Sequence, residues 1–436
     1  MSAGIDWICA PAGPLHGDVA VPGDKSMSHR AIMLAALADG VSCIDGFLEG
    51  EDTLATARAF DLMGVRVDAP SPALRIVQGV GLHGLRTPRG PLDCGNAGTA
   101  MRLLAGLLAG QAFDAVLTGD ASLSRRPMQR VIEPLSAMGA RIASQPGGLP
   151  PLEVRGGSPL RGMRHAPALA SAQVKSAILL AGLFAQGETE VRESRPTRDY
   201  TERMLAAFGW PVAFEPGRAV LTGGHRLHAT DVAIPGDFSS AAFLLVAASL
   251  APGSELVLRG IGLNPRRIGL LAVLRRMGAD ISEHDPREQG GERVADLVVR
   301  HALLRGIDVP TEWVPDMIDE FPALFVAAAA AEGVTLVRGA AELRVKESDR
   351  IAVMSAGLRR LGIRVDETAD GATIHGGTMH GGEVDSAGDH RCAMAFAVAS
   401  MVAHGPIRIA DCANVATSFP GFAGLACSLG FDLRPV

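Results

Sequence analysis

Met63-Gly64-Val65-Arg66-Val67 is the first of six copies of one short phrase, and this phrase decides the fold. In each copy a large apolar residue precedes a glycine, and two variable residues separate that glycine from an aliphatic one. A glycine in this position ends a helix in the left-handed conformation, and the alternation after it is typical of a strand. The sequence therefore predicts a unit of helix, glycine and strand that recurs about every 68 to 84 residues, with further copies at Met138–Ile142, Phe208–Val212, Met277–Ile281, Leu361–Val365 and Leu429–Leu433.

Each unit also contains a second helix upstream that is rich in small apolar residues on nearly every side, as in Ala100–Leu108, Ala177–Phe184 and Ala241–Leu250. A helix that is apolar all round is predicted to be buried. Ordinary capping explains part of the polar pattern at the helix starts, but unpaired N–H groups and positive dipole ends there also suit phosphate or carboxylate. The six predicted starts are Pro22–Ser26, Cys94–Gly98, Ser171–Gln173, Pro235–Ser239, Met317–Glu320 and Gly388–Arg391.

The length of 436 residues exceeds that of one ordinary domain. Three units fall on each side of Gly236-Asp237. We therefore expect an α/β protein with two similar domains, one of residues 23–236 and one of residues 1–22 plus 237–436. Because ligand sites favour domain interfaces, the active site is expected in the cleft between them.

Composition limits the classes of partner and the cellular locations to be expected. Lys and Arg number 41 against 47 Asp and Glu, a balance that argues against nucleic-acid or membrane-surface partners. The longest apolar stretches are too short to cross a bilayer, and the N-terminus has no secretion signal, so a cytoplasmic location is expected. The six scattered cysteines fit reduced thiols.

Several familiar functional motifs are either absent or stand in a sequence context that does not suit their function. Gly79–Gly84 matches the dinucleotide G-x-G-x-x-G pattern, but Pro88 and Gly90 follow where a helix would have to begin, so a turn between strands is expected. There is no Walker A motif and no G-x-S-x-G elbow. His225 with His228 and His375 with His380 have no further ligand at a recognisable spacing, so surface histidines are favoured over a metal site.

What remains is a set of cations beside the helix starts. An exposed charged face is the alternative for each one alone, but together they could hold several anionic groups. Lys346-Glu347-Ser348-Asp349-Arg350 is predicted to open a helix with Lys346 and Arg350 on one face. Asp319 precedes an Ala-rich run, where it could cap the helix or transfer a proton. The cations are Lys25, Arg30, Arg126, Arg198, Lys346, Arg350 and Arg391.

Five of these segments together resemble the signatures of the 5-enolpyruvylshikimate-3-phosphate synthase family of enolpyruvyl transferases. The resemblance covers essentially the whole chain, and the segments stand in the family's order. They are Pro22–Arg30, Gly95–Arg102, Arg126–Met128, Val345–Arg350 and Asp389–Arg391. The resemblance implies an inside-out α/β barrel architecture, in which each domain has three βαβαββ-type units packed around buried helices.

The resemblance also implies the substrates, phosphoenolpyruvate and shikimate 3-phosphate, and no cofactor or metal. Carried over by position, shikimate 3-phosphate would be bound by Lys25, Ser26, Arg30, Ser171, Gln173, Arg198, Asp319 and Lys346. Phosphoenolpyruvate would be bound by Lys25, Gly98, Arg126, Arg350 and Arg391. Many members carry a Lys before Phe-Pro in the last unit, whereas this chain has Ala416-Thr417-Ser418, so that contact is not carried over.

The implied reaction joins the 5-hydroxyl of shikimate 3-phosphate to C2 of phosphoenolpyruvate and then expels phosphate from a tetrahedral intermediate. Asp319 is implied as the base, Glu347 as the acid at C3, and Lys25 as an electrostatic or proton-shuttling partner. A monomer is expected. Two alternatives are a UDP-N-acetylglucosamine enolpyruvyl transferase, disfavoured because Gly119–Arg126 lacks a cysteine, and a non-catalytic repeat scaffold.

Overall fold

A computed structural model describes residues 5–168 and 170–436 of the chain. Across these residues it contains twelve α-helices, with five short 3-10 helices between them. The α-helices are α1 (Lys25–Leu37), α2 (Glu51–Leu62), α3 (Gly98–Ala109), α4 (Gln129–Ala137), α5 (Ala172–Gly182), α6 (Tyr200–Ala207), α7 (Phe238–Leu250), α8 (Gly269–Met277), α9 (Phe321–Ala330), α10 (Arg350–Arg360), α11 (His390–Ala399) and α12 (Phe422–Leu429).

The same residues form 24 strands, most of them between three and ten residues long. They are β1 (Trp7–Ala10), β2 (His16–Ala20), β3 (Ala38–Asp45), β4 (Arg66–Ser71), β5 (Leu74–Val80), β6 (Leu92–Asp93), β7 (Ala115–Thr118), β8 (Arg141–Gln145), β9 (Leu149–Arg155), β10 (Arg164–His165), β11 (Glu188–Arg192), β12 (Val212–Glu215), β13 (Arg218–Thr222), β14 (Leu227–His228), β15 (Val232–Ala233), β16 (Glu255–Gly262), β17 (Asp280–Gln289), β18 (Glu292–Arg300), β19 (Val334–Val337), β20 (Val365–Thr368), β21 (Gly371–His375), β22 (His380–Asp385), β23 (His404–Ala410) and β24 (Asp432–Pro435).

Packing divides the chain into two compact units, and each has its own hydrophobic core. The first unit comprises Gly23–Ile234 with Gln289–Gly291. The second comprises the chain up to Pro22, Pro235–Glu288 and Glu292–Val436. The predicted division into one domain of residues 23–236 and another of residues 1–22 plus 237–436 stays a prediction.

One sheet pattern recurs in both units. In the sheet ordered β6-β7-β9-β8, an edge strand runs parallel to its neighbour and the other pairings are antiparallel. The sheets ordered β10-β11-β13-β12 and β22-β23-β1-β24 have the same pattern. In the sheet β19-β21-β20, the parallel edge strand is replaced by isolated parallel bridges, one from Asp308 to Leu336 in β19 and one from Arg305 to Glu332 just before it. The remaining sheets, β14-β3-β5-β4 with β15 on β3 and β17-β18-β16-β2, complete three sheets in each unit.

Each unit contains strands that pair with strands far away in the sequence. In the first unit, β14 and β15 lie at the end of the segment and pair in parallel with β3 near its start. In the second unit, the segment before Pro22 supplies β1, between β23 and β24, and β2, which runs parallel to β16. Two strands of the second unit thus come from the segment before Pro22.

The six phrase glycines all lie in the left-handed region, as predicted. Their φ angles range from 79° at Gly209 to 122° at Gly430. Each ends a helix and is followed within three residues by the first residue of a strand. A side chain in this conformation costs roughly 1–2 kcal/mol, so glycine is the residue that lets helix and strand meet here. The full set is Gly64, Gly139, Gly209, Gly278, Gly362 and Gly430.

The second helix of each unit is buried, which confirms the prediction from its small apolar residues. All thirteen residues of α7 are buried, and α7, α9 and α11 pack against one another inside the second unit. In the first unit α3 packs against α5 and α1. The polar residues at these starts include side-chain caps: Asp24, Asp237 and Asp389 accept hydrogen bonds from backbone N–H groups of α1, α7 and α11.

One helix prediction is wrong. Lys346 to Asp349 do not open α10, which begins at Arg350, because the side chain of Asp349 accepts a hydrogen bond from Ala352 N and caps the helix there. Lys346 instead ends a 3-10 helix in an extended conformation. Lys346 and Arg350 therefore do not share a helical face. The predicted turn at Gly79–Gly84 is confirmed, since β5 ends at Val80 and no helix follows before β6.

Across residues 5–168 and 170–436, no helix combines the length and apolarity that crossing a membrane would require.

Candidate functional site

Helix α1 carries three of the predicted binding residues in its first two turns. The Asp24 cap, which accepts from Met27 N at 2.8 Å, starts the helix so that Lys25 and Ser26 lie in its first turn. Lys25 Nζ pairs with Asp52 Oδ2 at 3.0 Å while part of its side chain stays exposed. The helix start thus places an ammonium group beside backbone N–H groups, an arrangement that suits an anion.

Arg30 is a buried guanidinium held by neutral groups. Its nitrogens donate to Thr201 Oγ1 at 2.7 Å, to Ser26 O at 2.8 Å and to Ser176 Oγ at 2.8 Å. Within the described part of the chain it forms no ion pair with a carboxylate. Burial lowers the pKa of Arg30 to about 10, with Arg198 adding to the lowering and nearby carboxylates opposing it. A desolvated cation without a counter-ion is costly, so this position favours an anionic ligand.

The start of α5 faces the start of α3. Gln173 Oε1 accepts from Arg102 Nη1 at 2.8 Å, and Gln173 Nε2 donates to Thr99 Oγ1 at 2.8 Å. These two bonds fix the orientation of the amide. Ser171 occupies the cap position of α5, yet its hydroxyl makes no capping bond. The hydroxyl is therefore placed at a helix start without being used to hold it.

Gly98 opens α3 directly against two guanidinium groups. A Cβ built on Gly98 would lie 2.7 Å from Arg102 Nη1 and 3.4 Å from Arg126 Nη1. Arg126 Nη2 in turn donates to Asn96 Oδ1 at 2.6 Å and to Ser122 Oγ at 3.1 Å. A side chain at this position would therefore press against both cations at the helix N-terminus.

The loop that carries Arg198 is anchored by buried charges. Lys175 Nζ contacts Glu193 Oε2 and Glu202 Oε1, both at 2.9 Å, and all three side chains are almost fully buried. Burial alone would lower the pKa of Lys175, but the two carboxylates raise it. Glu193 also accepts from Thr197 N and Thr197 Oγ1. This anchor fixes the backbone immediately before Arg198.

The α1 cluster is the name used below for the predicted residues of the first unit. Arg30 reaches α5 through Ser176, and Gln173 of α5 reaches Arg102 of α3, which neighbours Gly98 and Arg126. These contacts connect Arg30 and Gln173 to the surroundings of Gly98 and Arg126. The residues of the α1 cluster are Lys25, Ser26, Arg30, Gly98, Arg126, Ser171, Gln173 and Arg198.

In the second unit, Asp319 lies at the centre of a group of cations. Its Oδ2 accepts from Arg267 Nη1 at 3.1 Å. Its Oδ1 lies 3.6 Å from Lys346 Nζ and 3.5 Å from Arg350 Nη1. Its backbone carbonyl accepts from Arg391 Nη1 at 3.0 Å. Three predicted cations from distant segments thus converge on the predicted base.

Arg350 is the most buried of these cations. Its Nε donates to Asp389 Oδ2 at 2.8 Å and its Nη2 donates to Glu347 Oε2 at 2.6 Å. Burial alone would lower the pKa of Arg350, but Asp389, Glu347 and Asp319 together raise it above its ordinary value. Its Nη1 is buried and, across the described residues, donates no hydrogen bond. A buried guanidinium donor left over in this way is a place where a substrate carboxylate or phosphate could bind.

The Asp319 cluster is the name used below for the residues that meet here in the second unit. It contains all five predicted residues of this unit, Asp319, Lys346, Glu347, Arg350 and Arg391. Sequence reasoning missed Arg267, although a charged Arg266-Arg267 pair in the apolar stretch before α8 was the available signal. It also missed the roles of Arg102 and Lys175, which hold other site residues in place.

The histidine pairs do not gain ligands in the structure. His375 Nε2 contacts Asp366, and His225 packs edge-on against Trp210. Among residues 5–168 and 170–436, no group of three or more His, Cys, Asp or Glu side chains is arranged to hold a metal ion.

Comparison with known proteins adds a family. Residues 9–425 match the family model described as EPSP synthase (3-phosphoshikimate 1-carboxyvinyltransferase). A 3-phosphoshikimate 1-carboxyvinyltransferase from Xanthomonas axonopodis pv. citri is 66% identical over 428 residues, covering 98% of this chain and 97% of the relative.

Solved structures agree. An EPSP synthase from Acinetobacter baumannii superposes with a TM-score of 0.90 at 48% identity, covering 99% of this chain and 100% of that one. The enolpyruvyl transferase NikO from Streptomyces tendae has a TM-score of 0.81 at 18% identity, over 99% of both chains, which shows a shared fold. The predicted enolpyruvyl transferase fold is confirmed.

Proposed function

The chain belongs to the EPSP synthase (3-phosphoshikimate 1-carboxyvinyltransferase) family, and from this premise we propose which of its side chains bind the substrates and move the protons. The reaction transfers the enolpyruvyl group of phosphoenolpyruvate to the 5-hydroxyl of shikimate 3-phosphate and releases phosphate. It is a step of the shikimate pathway, which leads to chorismate and the aromatic amino acids. The comparisons give no support to the UDP-N-acetylglucosamine or scaffold alternatives.

The α1 cluster is proposed to bind shikimate 3-phosphate through Lys25, Ser26, Arg30, Ser171, Gln173 and Arg198. The support is physical: Arg30 is buried without a carboxylate partner, and a phosphate or carboxylate would supply the missing charge. Asp319 and Lys346 of the Asp319 cluster are proposed to bind the same substrate. The predicted cleft between the two domains stays a prediction.

Phosphoenolpyruvate is proposed to bind to Lys25, Gly98, Arg126, Arg350 and Arg391. The observation that carries this proposal is the buried Nη1 of Arg350, a donor with no hydrogen bond that faces Asp319 Oδ1 at 3.5 Å. Gly98 supports it, because the space a side chain would fill lies against Arg102 and Arg126. Fixed cations of this kind stabilise developing charge without reorganising.

We propose that Asp319 accepts the proton of the 5-hydroxyl while the hydroxyl oxygen forms its bond to C2 of phosphoenolpyruvate. Glu347 gives a proton to C3 in the same step, so the double bond becomes the single bond of the tetrahedral intermediate. The C–O bond to phosphate then breaks and phosphate leaves with the bonding electrons, while C3 returns a proton to the Glu347 carboxylate and the enol ether forms. Lys25 supports these steps through its charge or as a proton shuttle.

The contact between Glu347 and Arg350 bears on the acid role. Arg350 Nη2 donates to Glu347 over 2.6 Å, which favours the carboxylate form of Glu347. A substrate carboxylate bound to Arg350 would compete for the same donor. Displacement of Glu347 by phosphoenolpyruvate would therefore make Glu347 readier to hold the proton that C3 needs.

Steady-state phosphate release tests these assignments. With phosphoenolpyruvate present, shikimate 3-phosphate is expected to support turnover and UDP-N-acetylglucosamine is not. Asp319→Asn and Glu347→Gln are both expected to lower kcat, and each should remove a different limb of the pH–rate profile. An unchanged kcat in either variant would exclude that residue from proton transfer.

The cytoplasmic location and the monomeric state are also proposals. All six cysteines are free thiols in the structure, which fits a reducing compartment. Light scattering coupled to gel filtration should give the mass of one chain, 45.2 kDa. A dimer mass would refute the monomer.

A further inference from the structure

We propose that Thr201 and Ser176 are positioning residues for Arg30: their hydroxyl groups hold the guanidinium in one plane without cancelling its charge. This inference rests on the proposed role of Arg30 in binding shikimate 3-phosphate. Thr201 lies in the first turn of α6 and Ser176 in the second turn of α5. Neither residue belongs to a segment that carries the family resemblance.

The two hydroxyl groups and the guanidinium form one connected hydrogen-bond network. Thr201 Oγ1 accepts from Arg30 Nε at 2.7 Å, and Ser176 Oγ accepts from Arg30 Nη2 at 2.8 Å. Thr201 Oγ1 in turn donates to Ser176 Oγ at 2.7 Å, and Ser176 Oγ donates to the backbone carbonyl of Ala172 at 2.6 Å. The side chains of Arg30, Ser176 and Thr201 are all buried. The network therefore runs from the guanidinium to the backbone of α5.

The direction of every hydrogen bond in this network follows from its two ends. A guanidinium can only donate, and a backbone carbonyl can only accept. The hydroxyl proton of Ser176 must therefore point to Ala172 O, which leaves the lone pairs of Ser176 Oγ for Arg30 and Thr201. Thr201 accepts from Arg30 Nε and gives its own proton to Ser176. The four bonds can thus be satisfied by one arrangement of the hydroxyl protons.

The network fixes the plane of the guanidinium. Nε and Nη2 lie on the same edge of the planar fork, and the two hydroxyl oxygens that accept from them are 2.7 Å apart. Nη1 donates to Ser26 O at 2.8 Å, one helical turn before Arg30. Bonds from three different nitrogens to groups of fixed position oppose rotation about the last bonds of the side chain. Arg30 can therefore meet an anion with little further loss of conformational entropy.

A buried ion pair holds together the two helices that carry the hydroxyl groups. Lys175 directly precedes Ser176 on α5. Glu202 directly follows Thr201 on α6. Lys175 Nζ lies 2.9 Å from Glu202 Oε1, and both side chains are almost fully buried, so separating them would leave a buried charge unpaired. The packing of α5 against α6 therefore places the two hydroxyl groups without any contribution from Arg30.

Hydroxyl groups at these positions have an electrostatic consequence. A carboxylate in their place would neutralise Arg30 by direct contact, and a substrate phosphate or carboxylate would have to compete with it. Hydroxyl oxygens satisfy the N–H groups and carry no charge. Lys175 shows the opposite arrangement, since Glu193 and Glu202 both contact it at 2.9 Å. The neighbouring Arg30 is instead held by neutral groups, so its charge remains available to a ligand.

The test is a double-mutant cycle between positions 30 and 201, measured by the KM for shikimate 3-phosphate. Thr201→Val keeps the shape of the side chain and removes the hydroxyl group, and it should raise this KM roughly five- to 30-fold. The kcat and the KM for phosphoenolpyruvate should change less than about threefold. Thr201→Ser should restore most of the lost affinity. In the Arg30→Met background, Thr201→Val should raise the KM by less than about twofold.

Ser176→Ala is the second variant, and Ser249→Ala is its matched control. Ser249 Oγ, on the buried helix α7, donates to Leu245 O at 2.8 Å, the same bond to the fourth preceding residue that Ser176 forms. Ser176→Ala should raise the KM for shikimate 3-phosphate, and Ser249→Ala should leave it within about twofold of the parent. Thr189→Val is the control for Thr201→Val, because Thr189 is equally buried and its hydroxyl has no partner among the described residues.

Thermal unfolding midpoints separate loss of fold from loss of binding, and the cycle made with Ser176→Ala decides the question if Thr201→Val does not fold. A parental KM for shikimate 3-phosphate in both hydroxyl variants would overturn the inference and leave Arg30 as a binding residue. An equal rise of KM in the parent and in the Arg30→Met background would overturn it as well. A parental KM in Arg30→Met alone would instead overturn the proposed role of Arg30, and with it the premise of this inference.

Discussion

Arg350 donates from Nε to Asp389 Oδ2 at 2.8 Å, and both side chains are almost completely buried. Burial alone would raise the pKa of Asp389, but the charge of Arg350 outweighs it and the pKa is lowered. Asp389 also caps α11 by accepting from Arg391 N at 2.9 Å. A single carboxylate thus orders two of the cations proposed to bind phosphoenolpyruvate.

Asp389→Asn is expected to destabilise the protein by about 3–5 kcal/mol, because it leaves the Arg350 charge buried without this partner. The KM for phosphoenolpyruvate should rise roughly tenfold, since the guanidinium would lose its fixed orientation. Urea unfolding and steady-state kinetics measure the two effects. Asp349→Asn is the control: Asp349 caps α10 and pairs with Arg344 nearer the surface, and should cost less than about 1 kcal/mol.

Arg30→Met is expected to raise the KM for shikimate 3-phosphate by roughly 10- to 100-fold, as loss of a charge-assisted contact implies. Arg75→Met provides a matched control. Arg75 is equally buried, but its Nη1 donates to backbone carbonyls and its guanidinium lies over the Phe47 ring. Its loss should lower stability and leave both KM values unchanged. The same KM shift in both variants would contradict a ligand role for Arg30.

Gly98→Ala is expected to raise the KM for phosphoenolpyruvate, because the new methyl group would approach Arg102 Nη1 to 2.7 Å. Arg102 would have to shift, and its bond to Gln173 would weaken. Gly424→Ala in α12 is a neutral control, since a Cβ there meets open space. Kinetics that remain the same for the Gly98 and Gly424 variants would count against this location for the substrate.

The lowered pKa of Glu190 predicts how the stability of the protein depends on pH. Hydrogen bonds from Arg192 and Arg218, with a further one from Arg164, lower its pKa to about 2. The unfolded chain therefore takes up a proton at this group near its ordinary value of 4.5, well before the folded protein does. Its stabilising contribution is complete above that value and is lost as the pH falls from about 4.5 toward 2.

Glu190→Gln should accordingly be less stable than the parent at pH 7, with a difference that shrinks as the pH is lowered through this window. Urea unfolding at several pH values between 7 and 3 measures it. Glu153→Gln, which removes the exposed partner of Arg155, is the control and should show a small difference throughout. A Glu190→Gln difference that stayed constant down to pH 3 would refute the argument.

Much of the fold was predictable because its signals are local. The six glycines end helices for a reason contained in five consecutive residues, and the buried helices are recognisable from their small apolar residues alone. The failure at Lys346–Arg350 has an equally local cause, since the Asp349 cap competes with extension of the helix. Even so, Lys346 and Arg350 both face Asp319, because the chain turns between them.

The sequence by itself determined the repeat, the buried helices and the residue types available at each helix start. Only the tertiary structure decided which of those residues meet. Arg30 donates a hydrogen bond to Thr201, which lies 171 positions away in the sequence, and Arg267 donates one to Asp319, 52 positions away. Such pairings depend on how the sheets pack around the buried helices. A pattern read along the chain records which charges exist, whereas the cost of burying a charge is settled by its neighbours in space.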